Sequence, residues 1–265
     1  MMIIDFHTHA FTESIAGKAI SNLSKTSGII PLTDGTVKNL IEFMNDEGVD
    51  KSVILPVATK PSQQVTINNW ASSIADEHII PFGTLFPFSE NILEEAERIK
   101  QLGLHGVKFH CEYQRFFPDD SKMYPVYQKL AELGLPVIFH GGWDPLSSDI
   151  IYGTPERFAK AVSENPNLTF IIAHLGGMKM WNDVEKYLAG KFDNLYFDTS
   201  CLSRYIKPQT FYNIIKIQTP EKILFGSDSP WDSPADIAKI INSFNLSDYE
   251  KEQIFCLNAK KLLNI

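Results

Sequence analysis

The chain alternates between two hydrophobic periods. Short apolar runs bounded by turn residues read as strands at 2–7, 51–57, 79–86, 105–110, 136–140, 168–174, 195–199 and 223–227. Between them, apolar residues recur at amphipathic-helix spacing over 36–47, 63–77, 90–102, 123–133, 155–164, 181–189, 208–217 and 234–244, with a last helix at 247–263. The punctuation agrees with this division. Thr154 before Pro155 and Ser233 before Pro234 place a capping side chain ahead of a proline in the first turn. Gly48, Gly103 and Gly134 each follow a last periodic residue, where a left-handed C-terminal cap belongs.

Alternating strands and helices at intervals of roughly 30 residues imply a parallel sheet, either closed into a (β/α)8 TIM barrel or open and doubly wound. The polar residues that close the apolar runs decide between them. They fall on the first, fourth, fifth, sixth and eighth strands, and only closure brings all those ends together. No Gly-x-Gly-x-x-Gly turn follows the first strand, so the usual nucleotide signature is missing. The sequence therefore predicts an α/β protein, one (β/α)8 barrel spanning 1–265 as a single domain. Residues 10–35, between the first strand and its helix, are longer than an ordinary connection and carry a helical pattern from Thr12 to Leu23. They read as a lid or pocket wall, or as an inert surface excursion.

The strand ends carry the chemistry. His7 and His9 are two apart on a strand and so face the same side. His140, His174 and Asp228 close later runs in the same manner. Four histidines and a carboxylate at strand ends suit a divalent ion, zinc first, manganese or iron next. Small residues after His174, at Leu175-Gly176-Gly177, let a substrate approach the backbone. Lys108 and His110 share a face of the fourth strand, where Lys108 is placed to hold a substrate carboxylate. Asp5, on the pleat of His7 and His9, is expected to orient an imidazole rather than bind metal. Around the mouth, Phe86, Tyr113, Arg115, Trp143, Arg204 and Trp231 suit a planar or carboxylated small molecule.

Composition narrows the classes. At 265 residues and 44% hydrophobic content the chain can bury a large core. Its net charge of -8 argues against nucleic acid and anionic membranes as partners. Apolar stretches stay well under the ~18 residues of a membrane span, and the N-terminus enters a strand without a basic-then-apolar leader, so a cytoplasmic protein is expected. The three cysteines, Cys111, Cys201 and Cys256, have no Cys-x-x-Cys spacing and read as small buried hydrophobes, the first two just past strands.

Asp5-Phe6-His7-Thr8-His9, "GVKFH" at 106–110, "FHGG" at 139–142, "AHLGG" at 173–177, "FGSDSPW" at 225–231 and "NAKKLL" at 258–263 together resemble the amidohydrolase superfamily. More narrowly, they resemble amidohydrolase family 2, TIM-barrel metal-dependent hydrolases related to aminocarboxymuconate-semialdehyde decarboxylase. The resemblance covers the whole chain. It implies one divalent ion on His7, His9, His140 and Asp228, with His174 a catalytic partner or further ligand and Asp228 also the proton relay. In other branches of the superfamily the strand-four lysine, here Lys108, is carbamylated to bridge two metals. A homodimer is also implied.

The expected activity is hydrolysis of a small carboxylated substrate by metal-activated water, with Asp228, His174 and Lys108 as catalytic residues. His110, Tyr113, Arg115, Trp143, Arg204 and Trp231, with Lys108, are expected to bind substrate. Non-oxidative decarboxylation at the same site is the alternative. A non-catalytic barrel that binds metal or a small ligand is the reading from another class.

Overall fold

Eight parallel staves follow one another in chain order around a closed ring in the computed structural model, which describes residues 1–145, 147, 150–200 and 203–265. They are β1 (Ile4–Thr8), β2 (Lys51–Ile54), β3 in two pieces (Ile79–Pro81 and Gly83–Thr84), β4 (Val107–His110), β5 (Val137–His140), β6 (Phe170–Ile172), β7 (Leu195–Asp198) and β8 (Ile223–Leu224). The sequence reads 79–86 as one strand. In the structure the first piece of β3 pairs with β2 and the second with β4, and Pro81, which has no N–H to give, sits at the break. Phe82 N–H still donates to Ile54 O at 3.0 Å, so the wall is continuous. Closure runs from β8 to β1: Phe6 N–H donates to Phe225 O at 2.8 Å, Asp228 N–H to His7 O at 2.8 Å and His9 N–H to Ser229 O at 2.7 Å.

The pleat sorts the side chains into two cores. Val137, Phe139, Phe170, Ile172, Leu195 and Phe197 pack outward against helix residues such as Phe158, Val184 and Phe211. Their neighbours of opposite parity, Ile138, Ile171 and Tyr196, cluster with Ile80, Phe82 and Leu224 across the ring and fill it. The same inward parity carries Lys108 and His110 on β4, His140 on β5 and Asp198 on β7 to the C-terminal end, where barrel sites lie.

The 10–35 segment contains a helix, Glu13–Ser27, closed by Gly28 at φ 72° with its N–H on Ser24 O. Leu32 N–H donates to Pro230 O at 2.8 Å, which fastens the segment to the turn after β8. The expected last helix begins at Asp248 behind a Ser247/Glu250 capping box, but it widens to a π-helix at Gln253–Leu257 before resuming at Asn258–Leu263. In the widened turn the Ile254 carbonyl accepts from Phe225 N–H of the eighth stave at 2.9 Å. Among the described residues no helix is long and apolar enough to cross a membrane. Cys111 and Cys256 are buried and unpaired, and Cys201 lies outside the described residues.

Candidate metal centre and active site

Three atoms converge at the mouth of the barrel. His7 Nε2 lies 3.2 Å from His9 Nε2, His9 Nε2 lies 3.1 Å from Asp228 Oδ1, and His7 Nε2 lies 3.3 Å from Asp228 Oδ1. The other ring nitrogens explain why this triangle is unusual. His7 Nδ1–H donates to Asp198 Oδ2 at 2.7 Å, and His9 Nδ1–H donates to Leu55 O at 2.9 Å. With both ring protons committed there, both Nε2 atoms present lone pairs to each other and to a carboxylate oxygen. Burial, reinforced by the charge of Lys108, pushes His7 down to about 4, so it stays neutral at ordinary pH. Burial alone raises the Asp228 carboxyl, but His7, His9 and His174 outweigh it and hold it at about 2.

Three mutually facing acceptors repel unless a cation lies between them. Ligands about 2.0–2.2 Å from one ion stand roughly 3 Å apart, as these do, so the donor set fits a divalent ion. Lys108, 1% exposed, reaches the same place, its Nζ–H donating to His7 Nε2 at 3.4 Å. Burial lowers this ammonium to about 8, against the opposing pull of Asp198 and Asp228. Among the described residues it is the one lysine or arginine that is buried.

His140, the fourth expected ligand, does not join that triangle. It forms a second convergent group with His110 and Asp144, whose ligand atoms lie within 4.8 Å of one another. Its Nδ1 lies 2.9 Å from His174 Nε2, and its ring stacks on His110 with centroids 4.3 Å apart. His110 stacks in turn on Tyr113 at 3.7 Å, giving three parallel rings. Burial keeps His110, His140 and His174 below the usual imidazole range.

Local backbone aims two of these groups in a way that a strand alone does not. β6 ends at Ile172, and His174 and Leu175 then turn through φ 60° and 50°; Asp228 stands at φ 70°. Non-glycine residues seldom adopt this left-handed region, at a cost of about 1 kcal/mol or more each.

The mouth residues divide. Lys108 stands against His7, and His110 and Tyr113 stack beside His140. Trp143 lies under Lys179, whose Nζ is 3.3 Å from the ring centroid. Trp231 is partly buried and its N–H donates to Asp228 O at 2.8 Å. Phe86, also partly buried, gives its N–H to Gln64 Oε1. Arg115 and Arg204 are exposed, and Arg204 contributes charge to the environment of Asp232. A surface depression of about 640 Å³ lined by Lys191, Phe192, Asn194, Tyr196 and Lys222 opens at the N-terminal ends of β6 to β8, the end opposite the histidines.

Asp5 differs from expectation. The register slips between Asp5 and Thr8, so the period of two does not carry from Asp5 to His7. Asp5 instead accepts from Ser227 Oγ–H at 2.5 Å and from Ser227 N–H at 2.9 Å, joining β1 to the turn after β8, and burial raises it to about 7. Asp198 orients the imidazole. It was legible as a charged residue closing the apolar run Leu195-Tyr196-Phe197, the same signal that marks His140. Ser200, Asp144 and the bend at His174 left no comparable mark.

A family model described as amidohydrolase matches residues 4–265. The chain belongs to that family. No curated protein matches the sequence. Among solved structures, this amidohydrolase is similar to an uncharacterised TIM-barrel protein from Bordetella bronchiseptica, with a TM-score of 0.80 at 18% identity over 100% of this chain and 99% of that one. The 2,6-dihydroxybenzoate decarboxylase from Rhizobium gives a TM-score of 0.75 at 14% identity, covering 100% and 99%. A dihydroxybenzoic acid decarboxylase from Polaromonas, with bound manganese and the inhibitor 2-nitroresorcinol, gives 0.72 at 16%, covering 99% and 97%. At these identities the likeness establishes the (β/α)8 barrel.

Proposed function

We propose that this amidohydrolase is a metal-dependent, non-oxidative decarboxylase of a small hydroxylated aromatic acid. The sequence favours hydrolysis. The relatives named as decarboxylases support the other reaction, and the manganese in the Polaromonas enzyme supports manganese ahead of zinc. The observation that carries the proposal is the buried Lys108 ammonium, 3.4 Å from His7 Nε2 at the edge of the lone-pair triangle, where a substrate carboxylate would lie.

His7, His9 and Asp228 would hold the ion, with His140 Nε2 the further nitrogen available to it. The ion supplies positive charge that binds the substrate's oxygens and offsets the charge developing on them. Lys108 grips the carboxylate, and the stacked rings of Tyr113, His110 and His140 form a flat wall beside it. As the bond between ring carbon and carboxylate breaks, its electron pair stays on the ring carbon and forms a C–H bond there. One proton from solvent is consumed for each carbon dioxide released. Asp228, ionised at neutral pH, takes up that proton and delivers it, with His174 as the second proton-handling group. The 10–35 segment, tied through Leu32 to Pro230, serves as a pocket wall beside Asp228. We assign the protein to the cytoplasm, as a homodimer.

The test is a panel of hydroxylated benzoates alongside lactones, amides and esters, with manganese- or zinc-loaded protein in labelled water. Carbon dioxide release, with solvent deuterium on the product ring and no solvent oxygen, is expected. Solvent oxygen in a product from an ester, lactone or amide, with no carbon dioxide from any acid, would restore hydrolysis.

A further inference from the structure

Asp198 closes β7 fully buried, and each of its oxygens is used. Oδ2 accepts from His7 Nδ1–H at 2.7 Å. Oδ1 accepts from His174 N–H at 2.9 Å, from Ser200 N–H at 3.1 Å and from Ser200 Oγ–H at 2.6 Å. The Ser200 proton is therefore spent on the carboxylate. Ser200 Oγ also lies 2.9 Å from His174 Nδ1, and toward that ring it has only a lone pair to offer. His174 must then carry its proton on Nδ1, shared with Ser200 O at 3.1 Å, and its Nε2 is an acceptor. The atom 2.9 Å from that Nε2 is His140 Nδ1, which must donate. The remaining nitrogen, His140 Nε2, is left with a lone pair facing Trp143 O at 3.3 Å, two acceptors in contact.

We propose that Asp198 is a positioning residue that, directly through His7 and by way of Ser200 and His174 through His140, fixes the protons of three histidines so that His7 Nε2 and His140 Nε2 are both free to bind a cation. A single carboxylate thus sets ligand nitrogens on opposite walls of the barrel, β1 and β5. The relay also accounts for two buried groups, Ser200 and Asp198, that the decarboxylation itself does not use. Outer partners of this kind typically govern metal affinity through the orientation and basicity of the ring they hold. The inference rests on reading His7 and His140 as ligands.

The test uses full-length protein with 15N-labelled histidine, metal-free, compared with Ser200→Ala, Ser200→Thr and Asp198→Asn. In the wild type, ring 15N shifts should place the protons of His7, His174 and His140 on Nδ1. Ser200→Ala frees His174, so its ring and that of His140 should shift to mixed or Nε2-protonated forms while His7 is unmoved; Ser200→Thr, which keeps the hydroxyl, should restore the wild-type pattern. Asp198→Asn should release His7 as well and weaken manganese binding by about 10–100-fold in calorimetry. A His140 protonated on Nε2 in the wild type, or a His174 unmoved by Ser200→Ala, would overturn the proposal. If the wild type takes up neither manganese nor zinc, the ligand reading fails, while the ring shifts of the metal-free protein still decide the relay.

Discussion

Lys108 Nζ stands 3.4 Å from His7 Nε2, so a buried ammonium and an incoming metal ion are drawn to the same lone pair. The lysine is costly to the fold and useful to the site for one reason: its charge is held in a place with little water.

Replacing Lys108 with methionine should stabilise the metal-free protein. Burial lowers this group from 10.5 to about 8, so the unfolded chain binds a proton the folded chain lacks between those values. Wild-type stability relative to Lys108→Met therefore rises as pH climbs from about 8 to 10.5, and below 8 the full penalty applies, on the order of 3 kcal/mol. Urea unfolding at pH 7 and pH 10 reads the difference. If the proposed decarboxylation is the reaction, it should fall about 10²-fold in the variant, since the substrate carboxylate would lose its partner. Equal stability at pH 7 would mean that Asp198 and Asp228 fully offset the burial.

Asp228→Asn separates holding the ion from moving the proton. The side chain keeps its shape and an oxygen, but an amide neither carries the charge nor accepts the proton. Turnover is expected to drop by about 10² or more while some metal is retained in elemental analysis. Unchanged turnover would remove Asp228 from the proton path.

The barrel was legible because its strands are short, largely apolar runs and its helices show a clean amphipathic period, so all eight staves could be placed. Period alone could not show where the backbone leaves the strand geometry. His174 and Asp228 reach the lumen through left-handed turns, and Asp5 is turned to Ser227 by a slip in register. The break at Pro81 and the π-helix at Gln253–Leu257 likewise answer to neighbours distant in sequence: the two partners of β3, and the N–H of Phe225. The sequence marks His7, His9, His140, His174 and Asp228 alike, since each closes a run, and folding brings the ligand atoms of three of them, His7, His9 and Asp228, to one point. The network behind them was not marked, because Ser200 and Asp144 are ordinary loop residues until folding buries them.

Metal removal should cost stability as well as activity. At an ion concentration 100 times the dissociation constant, binding adds about 2.7 kcal/mol, which a thermal melt with and without chelator detects. About one ion per chain is expected after dialysis, and His7→Ala or His9→Ala should lose it. His7 stays neutral down to about pH 4, so protons compete for its nitrogen only near that value. Two ions per chain would bring in the second convergent group, His110, His140 and Asp144, or a carbamate on Lys108.

The placement of His140 and His174 relative to each other depends on a glycine between them in the fold. Gly142 follows β5 at φ 80° and pairs with Met178 in the loop after β6. Two backbone bonds tie the loops together there, Met178 N–H to Gly141 O at 2.8 Å and Trp143 N–H to Met178 O at 3.0 Å, and Gly142 N–H to Gly153 O at 2.8 Å closes the loop after β5 on itself. A Cβ on Gly142 would lie 2.4 Å from Met178 N and 2.5 Å from Met178 O, both backbone atoms that cannot swing aside. Gly142→Ala must therefore open the joint, and it also strains a left-handed residue. We expect a loss of about 2–4 kcal/mol in chemical unfolding. If the protein still folds, the 2.9 Å contact between His140 and His174 should break, visible as a changed His140 ring signal, while the His7–His9 pair on the opposite wall keeps its own. A variant as stable as the wild type, with both histidine signals unmoved, would show that the two loops do not depend on this joint.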